Sequence, residues 1–332
     1  MTPKTATSPA KVDALDRDSV LSALSAQGCM VLLDPALRPT TEDPSWPEGD
    51  FGPPVSIALE HPRVDPSVVP QLLTLRPNDE RHARMLTYTL EEAQADCHRE
   101  SLSHGRGRRI GAWLVTRATS SEVGEHLGRV MLQQHGLTGA QVWLRLHDPA
   151  VLWLIWSELS PQQQVALLGP IEAAYLLDPL GRIEVIRRPA VAASHLGLEL
   201  TPQQWITVDA TNAANQALRD WSSMPEDTLI RLQAQVAVEA VKRAARLGFG
   251  DTSDQALFAL LALTVHREFD RHPLVIERLD ARAPEDYFSG LVADFDEVHW
   301  TQIAADLHAT LVSTNESEHM AARPWPGPTS TR

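Results

Sequence analysis

Arg145 and Asp148 stand within four positions of one another, and Asp34 closes an apolar run far upstream. These are the residues in the 332-residue chain whose types and spacing could do chemistry together. Asp34 follows CMVLL and Asp148 follows VWLRLH, so each carboxylate ends a stretch that reads as a strand. If those strands were neighbours, both carboxylates would lie at one sheet edge, with Arg145 able to hold one of them bidentately. Such a pair could serve as acid and base in a hydrolase. The simpler arrangement is a helix cap at Asp148 and an ion pair that ties the sheet edge to the next helix. In that case removing Asp148 costs on the order of 1 kcal/mol.

Other chemistry finds less support. His266 and His272 are six apart, unlike the i, i+4 histidines of a helical zinc motif. Cys97 and His98 are adjacent, which makes it hard for both to serve one metal. We therefore expect no metal and no cofactor, and read His272, just before Pro273, as a helix-entry residue. There is no GxSxG elbow, and neither cysteine has a catalytic signature around it. HGRGRR (104–109) brings Arg106, Arg108 and Arg109 together, but lacks the glycine spacing of a phosphate loop and reads as a solvated turn.

The elements that must position these residues follow from periodicity and caps. In 141–147 Val142, Leu144 and Leu146 alternate with Trp143, Arg145 and His147, the pattern of a strand. Asp148-Pro149 then caps an apolar helix, AVLWLIWSEL. Ser160-Pro-Gln-Gln163 has capping-box spacing for a second helix, which Gly169-Pro170 ends. Upstream, 18–27 reads as a helix, 29–34 as a buried strand and 55–60 as a strand. VVPQLLTL (68–75) reads as a strand pushed towards an edge by Pro70. A helix over 78–100, a strand from 109 and a helix opened by Thr119-Ser-Ser-Glu122 follow, with Val123, His126, Leu127, Val130 and Met131 as its stripe and Gly136 as its close. AAYLLD, the turn Asp178-Pro-Leu-Gly181 and RIEVI form a hairpin.

Beyond about 198 only helices are expected. Ile206, Ala210, Ala213, Ala217 and Trp221 make one stripe; Leu229, Leu232, Val236, Ala240, Ala244 and Leu247 make another, stopped at Gly248. ALFALLALTV (256–265) is apolar all round and reads as the centre of this part. Helices from Pro273, Pro284 and about Asp296 complete it. The expected fold is thus two-lobed, α+β or α/β. A flexible leader (1–17) precedes an N-terminal lobe (18–197) with a mixed β-sheet and flanking helices, then an all-α lobe (198–312) and a disordered tail (313–332).

Composition narrows the function classes. Hydrophobic residues make up 43% and charged residues 22%, which describes a globular protein. Forty-three acidic against 29 basic residues leave a formal charge of −14, which argues against nucleic acid as the main partner. Residues 251–312 hold 12 acids and 4 bases, so most of the excess lies there. Two cysteines give no disulfide framework, the N-terminus lacks an apolar signal core, and no run reaches membrane-spanning length. A cytoplasmic protein is expected.

One stretch also carries a family pattern. RLHDPAVL followed by LSPQQQVALLGPI resembles the signature of bacterial adaptor chaperones that load toxic effectors onto the type VI secretion spike. That family has often been listed only as a domain of unknown function. Arg145, Asp148, Pro149, Gly169, Pro170 and Ile171 match its pattern. His147 stands where an aromatic is usual, and Ala150 where a basic residue is usual. MVLLDPALRP with Asp34, VPQLLTL, LTPQQW, LGFGD, FDRHP and EVHW follow in a similar order, so the resemblance spans roughly 28–305. It implies an α/β lobe followed by a helical lobe and a non-catalytic role in the cytosol. The partners it implies are a secreted effector and a VgrG-type spike protein, with the protein a monomer when no client is bound. Trp143, Arg145 and His147, placed on one face by the alternation, are then the candidate client contacts. The alternatives are the hydrolase using Asp34 and Asp148, and a self-assembling component like those of phage tails.

Overall fold

In the computed structural model, residues 15–37, 51–61, 64–98, 101, 107–192, 197–221 and 230–321 are described, with side chains up to 309. The expected leader up to residue 14, most of the proline-rich loop, Arg106, Leu229 and the tail beyond 321 lie outside them. The chain divides into two compact units, through Thr211 and from Asn212.

The first unit begins with α1 (Arg17–Gln27), started by Asp16, whose carboxylate accepts from the Ser19 N–H. A six-stranded sheet follows in the order β2-β3-β1-β4-β7-β8. Its strands are β1 (Cys29–Leu33), β2 (Val55–Ser56), β3 (Gln71–Leu75), β4 (Ile110–Thr116), β7 (Ile171–Leu177) and β8 (Ile183–Arg187). The mixed sheet expected from alternating strands and helices resolves into one whose ladders are all antiparallel.

Helices cover both faces of this sheet. On one face Val31, Trp113 and Tyr175 lie side by side in register, beneath α1 and α2 (Glu80–Asp96). Trp113 is fully buried there, and its indole N–H donates to Thr89 Oγ1 at 2.9 Å, so the large ring enters the core with its polar atom satisfied. Over the other face pack α3 (Ser120–Met131), α4 (Pro149–Trp156) and α5 (Pro161–Leu168). Coverage on both sides is why these strands read as unbroken apolar runs rather than as alternating ones.

Local grammar placed most boundaries. Thr119/Glu122 and Ser160/Gln163 both form complete capping boxes. The Asp178 carboxylate accepts from the Leu180 and Arg182 N–H groups and from Arg182 Nε, which closes the β7–β8 turn. Other readings are corrected. β3 is interior, because the two residues of β2 pair along its outer side; Pro70 sits just before the ladder, where its missing N–H costs nothing. The strand expected over 55–60 ends at Ser56, because Ala58 N–H turns to donate to the Gly124 carbonyl on α3. α3 ends at Met131, not at Gly136, and the chain continues directly into β5 (Leu132–Gln134).

His126 on α3 is half-buried, with Nε2 2.8 Å from the Leu167 carbonyl. Burial holds its imidazole below the usual pKa; the Leu167 carbonyl opposes this and nearby Arg129 adds to it. His266 shifts the same way, first through burial and then through His308. An unfolded chain takes up protons near pH 6.5 that these folded histidines refuse. Stability is therefore expected to be level above about pH 7 and to fall as pH drops from about 6.5 to 5. Urea titrations at pH 7.5, 6.5 and 5.5 check this, and His126→Gln should flatten the slope.

The sequence composition changes near 198, yet the units divide inside α6 (Pro202–Asp220). Its first turns belong to the first unit because Trp205 packs on the His135 ring, centroids 4.4 Å apart, and because His135 pairs with Asp209. Ala210, Ala213 and Ala217 are buried as the expected stripe requires, but Ile206 is exposed and Trp205 takes its place at the start of the helix.

The second unit is helical, with α7 (Ile230–Arg246), α8 (Thr252–Thr264), α9 (Pro273–Ala281), α10 (Phe288–Leu291) and α11 (Glu297–Ala321). On α7 Leu232 is exposed, while Ala234, Ala237 and Val241 are buried. Small residues take the buried line because α7 and α8 pack closely together. Phe258, Phe269 and Phe288 form an aromatic centre. Asp254 accepts the Phe288 and Ser289 N–H groups at 2.8 and 3.0 Å, tying α10 to α8. His272 caps α9 through Nδ1, as its place before Pro273 suggests. α11 runs on to Ala321, so helix extends into the residues read as a tail.

Candidate functional site

The stretch that carries the family pattern does not form a central strand. β6 is only Gln141–Trp143 and pairs with β5 in a separate two-stranded hairpin. Leu144 to Asp148 are a tight irregular segment, in which Leu146 N–H donates to the Leu144 carbonyl and Asp148 N–H to the Arg145 carbonyl. This segment lies directly on β4. A Cβ at Gly111 would run into the His147 carbonyl oxygen, so glycine there is what lets the two backbones meet.

That contact brings the segment to the end of β1, where Asp34 is 4% exposed. Its Oδ2 lies 3.4 Å from His147 Nε2 and 3.5 Å from an Arg145 guanidinium nitrogen. Oδ1 accepts the Ala36 N–H at 3.0 Å. Burial alone would raise the Asp34 carboxyl. The His147 contact and charge, the Ala36 N–H and Arg145 outweigh it and hold the carboxyl below its usual range. Asp34 is thus a paired anion.

Arg145 and His147 do not share an exposed face. The Arg145 side chain is 56% exposed and the His147 side chain 1%, because the turn breaks the two-residue alternation. Trp143 is half-buried and stacks on the His147 ring at 5.3 Å and 21°.

Among the described residues Asp148 makes no hydrogen bond or ion pair with this cluster. Its Oδ1 accepts the Ala150 N–H at 2.9 Å and caps α4, with Pro149 in the first turn. Asp148→Ala should therefore cost about 1 kcal/mol, the ordinary value of a lost N-cap. Urea unfolding followed by circular dichroism measures it; a loss above about 3 kcal/mol would reveal a buried partner.

Gly169 and Pro170 have a structural reason for their types. Gly169 caps α5 at φ 54°, and its missing Cβ leaves room for the His126 ring. Its carbonyl accepts from Arg188, and the Pro170 carbonyl accepts from Thr116 Oγ1 at 2.9 Å, which fixes the entry to Ile171 and β7.

A second polar cluster at the same end of the sheet escaped the sequence reading. Glu92 is 1% exposed, and its Oε1 accepts from Arg109 at 3.2 Å. Asp96 accepts the Arg109 N–H at 2.9 Å, and the Arg109 carbonyl accepts from Asp34 N–H. Burial raises the Glu92 carboxyl above its usual range; Arg109 pulls it back and Asp96 adds to the rise. Arg109 is therefore not part of a solvated turn. The available signal was Glu92 and Asp96, one helical turn apart and ahead of a basic segment, but spacing alone does not say that both carboxylates are buried. Cys97, at the end of α2, is also held protonated, chiefly by burial.

No group of three or more histidines, cysteines and carboxylates able to hold a metal occurs among the described residues, and none of their helices is long and apolar enough to cross a membrane.

The fold and site define an α/β unit in which a turn is clamped to a sheet end by one buried aspartate, followed by a helical unit. Residues 64–166, which include Arg145, His147, Asp148 and Pro149, match the model of a family described as a domain of unknown function, DUF4123. No curated protein and no solved structure matches the chain.

Proposed function

We propose that this protein is a non-catalytic adaptor chaperone that binds a type VI secretion effector in the cytosol and helps load it onto a VgrG-type spike. The observation that carries the reading is the state of the RLHDP turn within the matched domain. Asp34 is engaged by His147, Arg145 and Ala36, and Asp148 is engaged as a cap. A hydrolase built on these two carboxylates needs a raised pKa in an open recess, and Asp34 is shifted the other way. The resemblance of this stretch to the adaptor signature supplies the client class. Arg145, half in solvent and bound to Asp34 only at 3.5 Å, is the residue of the motif best placed to meet a client. His147 shares the Asp34 oxygen with Arg145, and Trp143 stacks on His147.

Co-expression with the products of neighbouring open reading frames, followed by affinity purification and size-exclusion chromatography, tests the reading. A stoichiometric complex with one large neighbour, whose solubility depends on this protein, is expected. Arg145→Ala should weaken that complex while the protein stays folded. A protein that elutes alone and leaves every neighbour unchanged would sink the proposal.

A further inference from the structure

The capping box at Thr119 closes with Glu122, a carboxylate that only accepts hydrogen bonds. The boxes that open α5 and α6 close with glutamines instead, Gln163 and Gln204. A glutamate serves a capping box as well as a glutamine does, so capping alone does not require an amide at either place. The two amides meet. Gln163 Nε2 donates to Gln204 Oε1 at 2.8 Å, and Gln204 Nε2 donates back to Gln163 Oε1 at 2.9 Å.

The rest of each side chain is engaged in the same way on both sides. Gln163 Oε1 accepts the Ser160 N–H at 3.0 Å, and its Nε2 also donates to the Glu199 carbonyl at 2.6 Å, just ahead of α6. Gln204 Oε1 accepts the Thr201 N–H at 2.9 Å, and its Nε2 also donates to the Glu158 carbonyl at 2.7 Å, just ahead of α5. An amide has two donor hydrogens and two acceptor lone pairs, and both side chains use all of them. Each glutamine thus caps its own helix and fixes the chain that leads into the other. A carboxylate has no hydrogen to give and cannot do this. Their sequence neighbours Gln162 and Gln203 are exposed and take no part in the pair.

We propose that this pair is a two-way latch, through which the starts of α5 and α6 hold or open as one unit. When either amide is lost, the other keeps a half-buried N–H and an oxygen without their partner, and its own cap weakens. The place of the latch gives it reach. The residues that match the family model end within α5, so Gln163 lies inside the matched part and Gln204 outside it. α6 then continues past Thr211 into the second unit. A disturbance that loosens the start of α5 therefore weakens the hold on the first turn of the helix that leads out of the first unit. The latch does not depend on the adaptor reading.

Hydrogen–deuterium exchange of the full chain, read by mass spectrometry at the starts of α5 and α6, tests this. Gln204→Glu keeps an acceptor for the Thr201 N–H, and so keeps the α6 box, but has no hydrogen to donate. Exchange at the start of α5 should nevertheless rise about tenfold, the scale of one lost hydrogen bond, although the change lies 41 residues from Gln163. Gln163→Glu should do the same to the start of α6. Adding Gln204→Ala to Gln163→Ala should change exchange at the start of α5 less than about twofold, because the bond between the amides is already gone. Gln162→Glu/Gln203→Glu is the control and should leave both helices as they are. Variants that loosen only their own helix, loosen β4 equally or change nothing would overturn the latch. Circular dichroism establishes that the variants fold. Where a glutamate variant does not, Gln204→Ala and Gln163→Ala are read at the opposite helix by the same criterion. If these fail to fold as well, the pair holds the whole unit rather than two helix starts, and the latch is overturned.

Discussion

Asp34→Ala is expected to remove about 3 kcal/mol of folding stability, the scale of breaking a buried charged pair by deleting one partner. The substitution strips the buried His147 imidazole of its carboxylate, frees Arg145, and leaves the Ala36 N–H without its acceptor. Asp34→Asn should fall between wild type and alanine, because an amide oxygen can still accept from Ala36 but carries no charge. The pH dependence has a definite sign. A carboxyl held below its unfolded value of about 3.8 stabilises the fold above that pH, and the contribution disappears as pH falls through the folded value. The gap between wild type and Asp34→Ala should thus hold from pH 7 to about pH 5 and close below about pH 4. Urea titrations of both proteins across that range give the answer. A gap below about 1 kcal/mol at pH 7 would place the pair with ordinary surface ion pairs.

Gly111→Ala should be at least as damaging, about 3 kcal/mol, and should lower the yield of folded protein. Overpacking a core by one methyl usually costs about 1–3 kcal/mol because side chains can shift. Here the new methyl meets the His147 carbonyl, a backbone atom that no rotamer change moves. The turn must lift from β4, and with it the His147 and Arg145 contacts to Asp34 loosen. Gly250→Ala is the control, since a Cβ there meets nothing within 4 Å, and it should stay within about 0.5 kcal/mol of wild type. Thermal unfolding of the three proteins separates the cases. Equal melting of Gly111→Ala and Gly250→Ala would mean that the turn does not rest on β4.

The two effects are linked, and the link tests the site as a unit. If Gly111→Ala acts by lifting the turn, adding it to Asp34→Ala should cost less than the sum of the two. Simple additivity would mean that the methyl strains β4 by itself.

The sequence alone determined the elements whose signals are local. Capping boxes at Thr119 and Ser160, the Asp148-Pro149 entry, the Gly169 stop and the Asp178 turn depend on atoms within a few residues of each other, and each lies where the sequence puts it. The lobed architecture was legible for a similar reason, since apolar runs and helical stripes report how much of an element is covered. What covers it was not legible. Alternation over 141–147 predicts a strand throughout, but only 141–143 find a ladder partner, in β5, and His147 beyond them meets β4 at Gly111 through its carbonyl. Only that long-range contact decides that His147 is buried and Arg145 is not, that Asp34 pairs with them, and that Asp148 only caps a helix. The burial of Glu92 beside Arg109 was decided the same way. Either charge could have faced water, and the packing of α2 on the sheet left the Glu92 carboxylate fully inside and the Arg109 side chain 13% exposed.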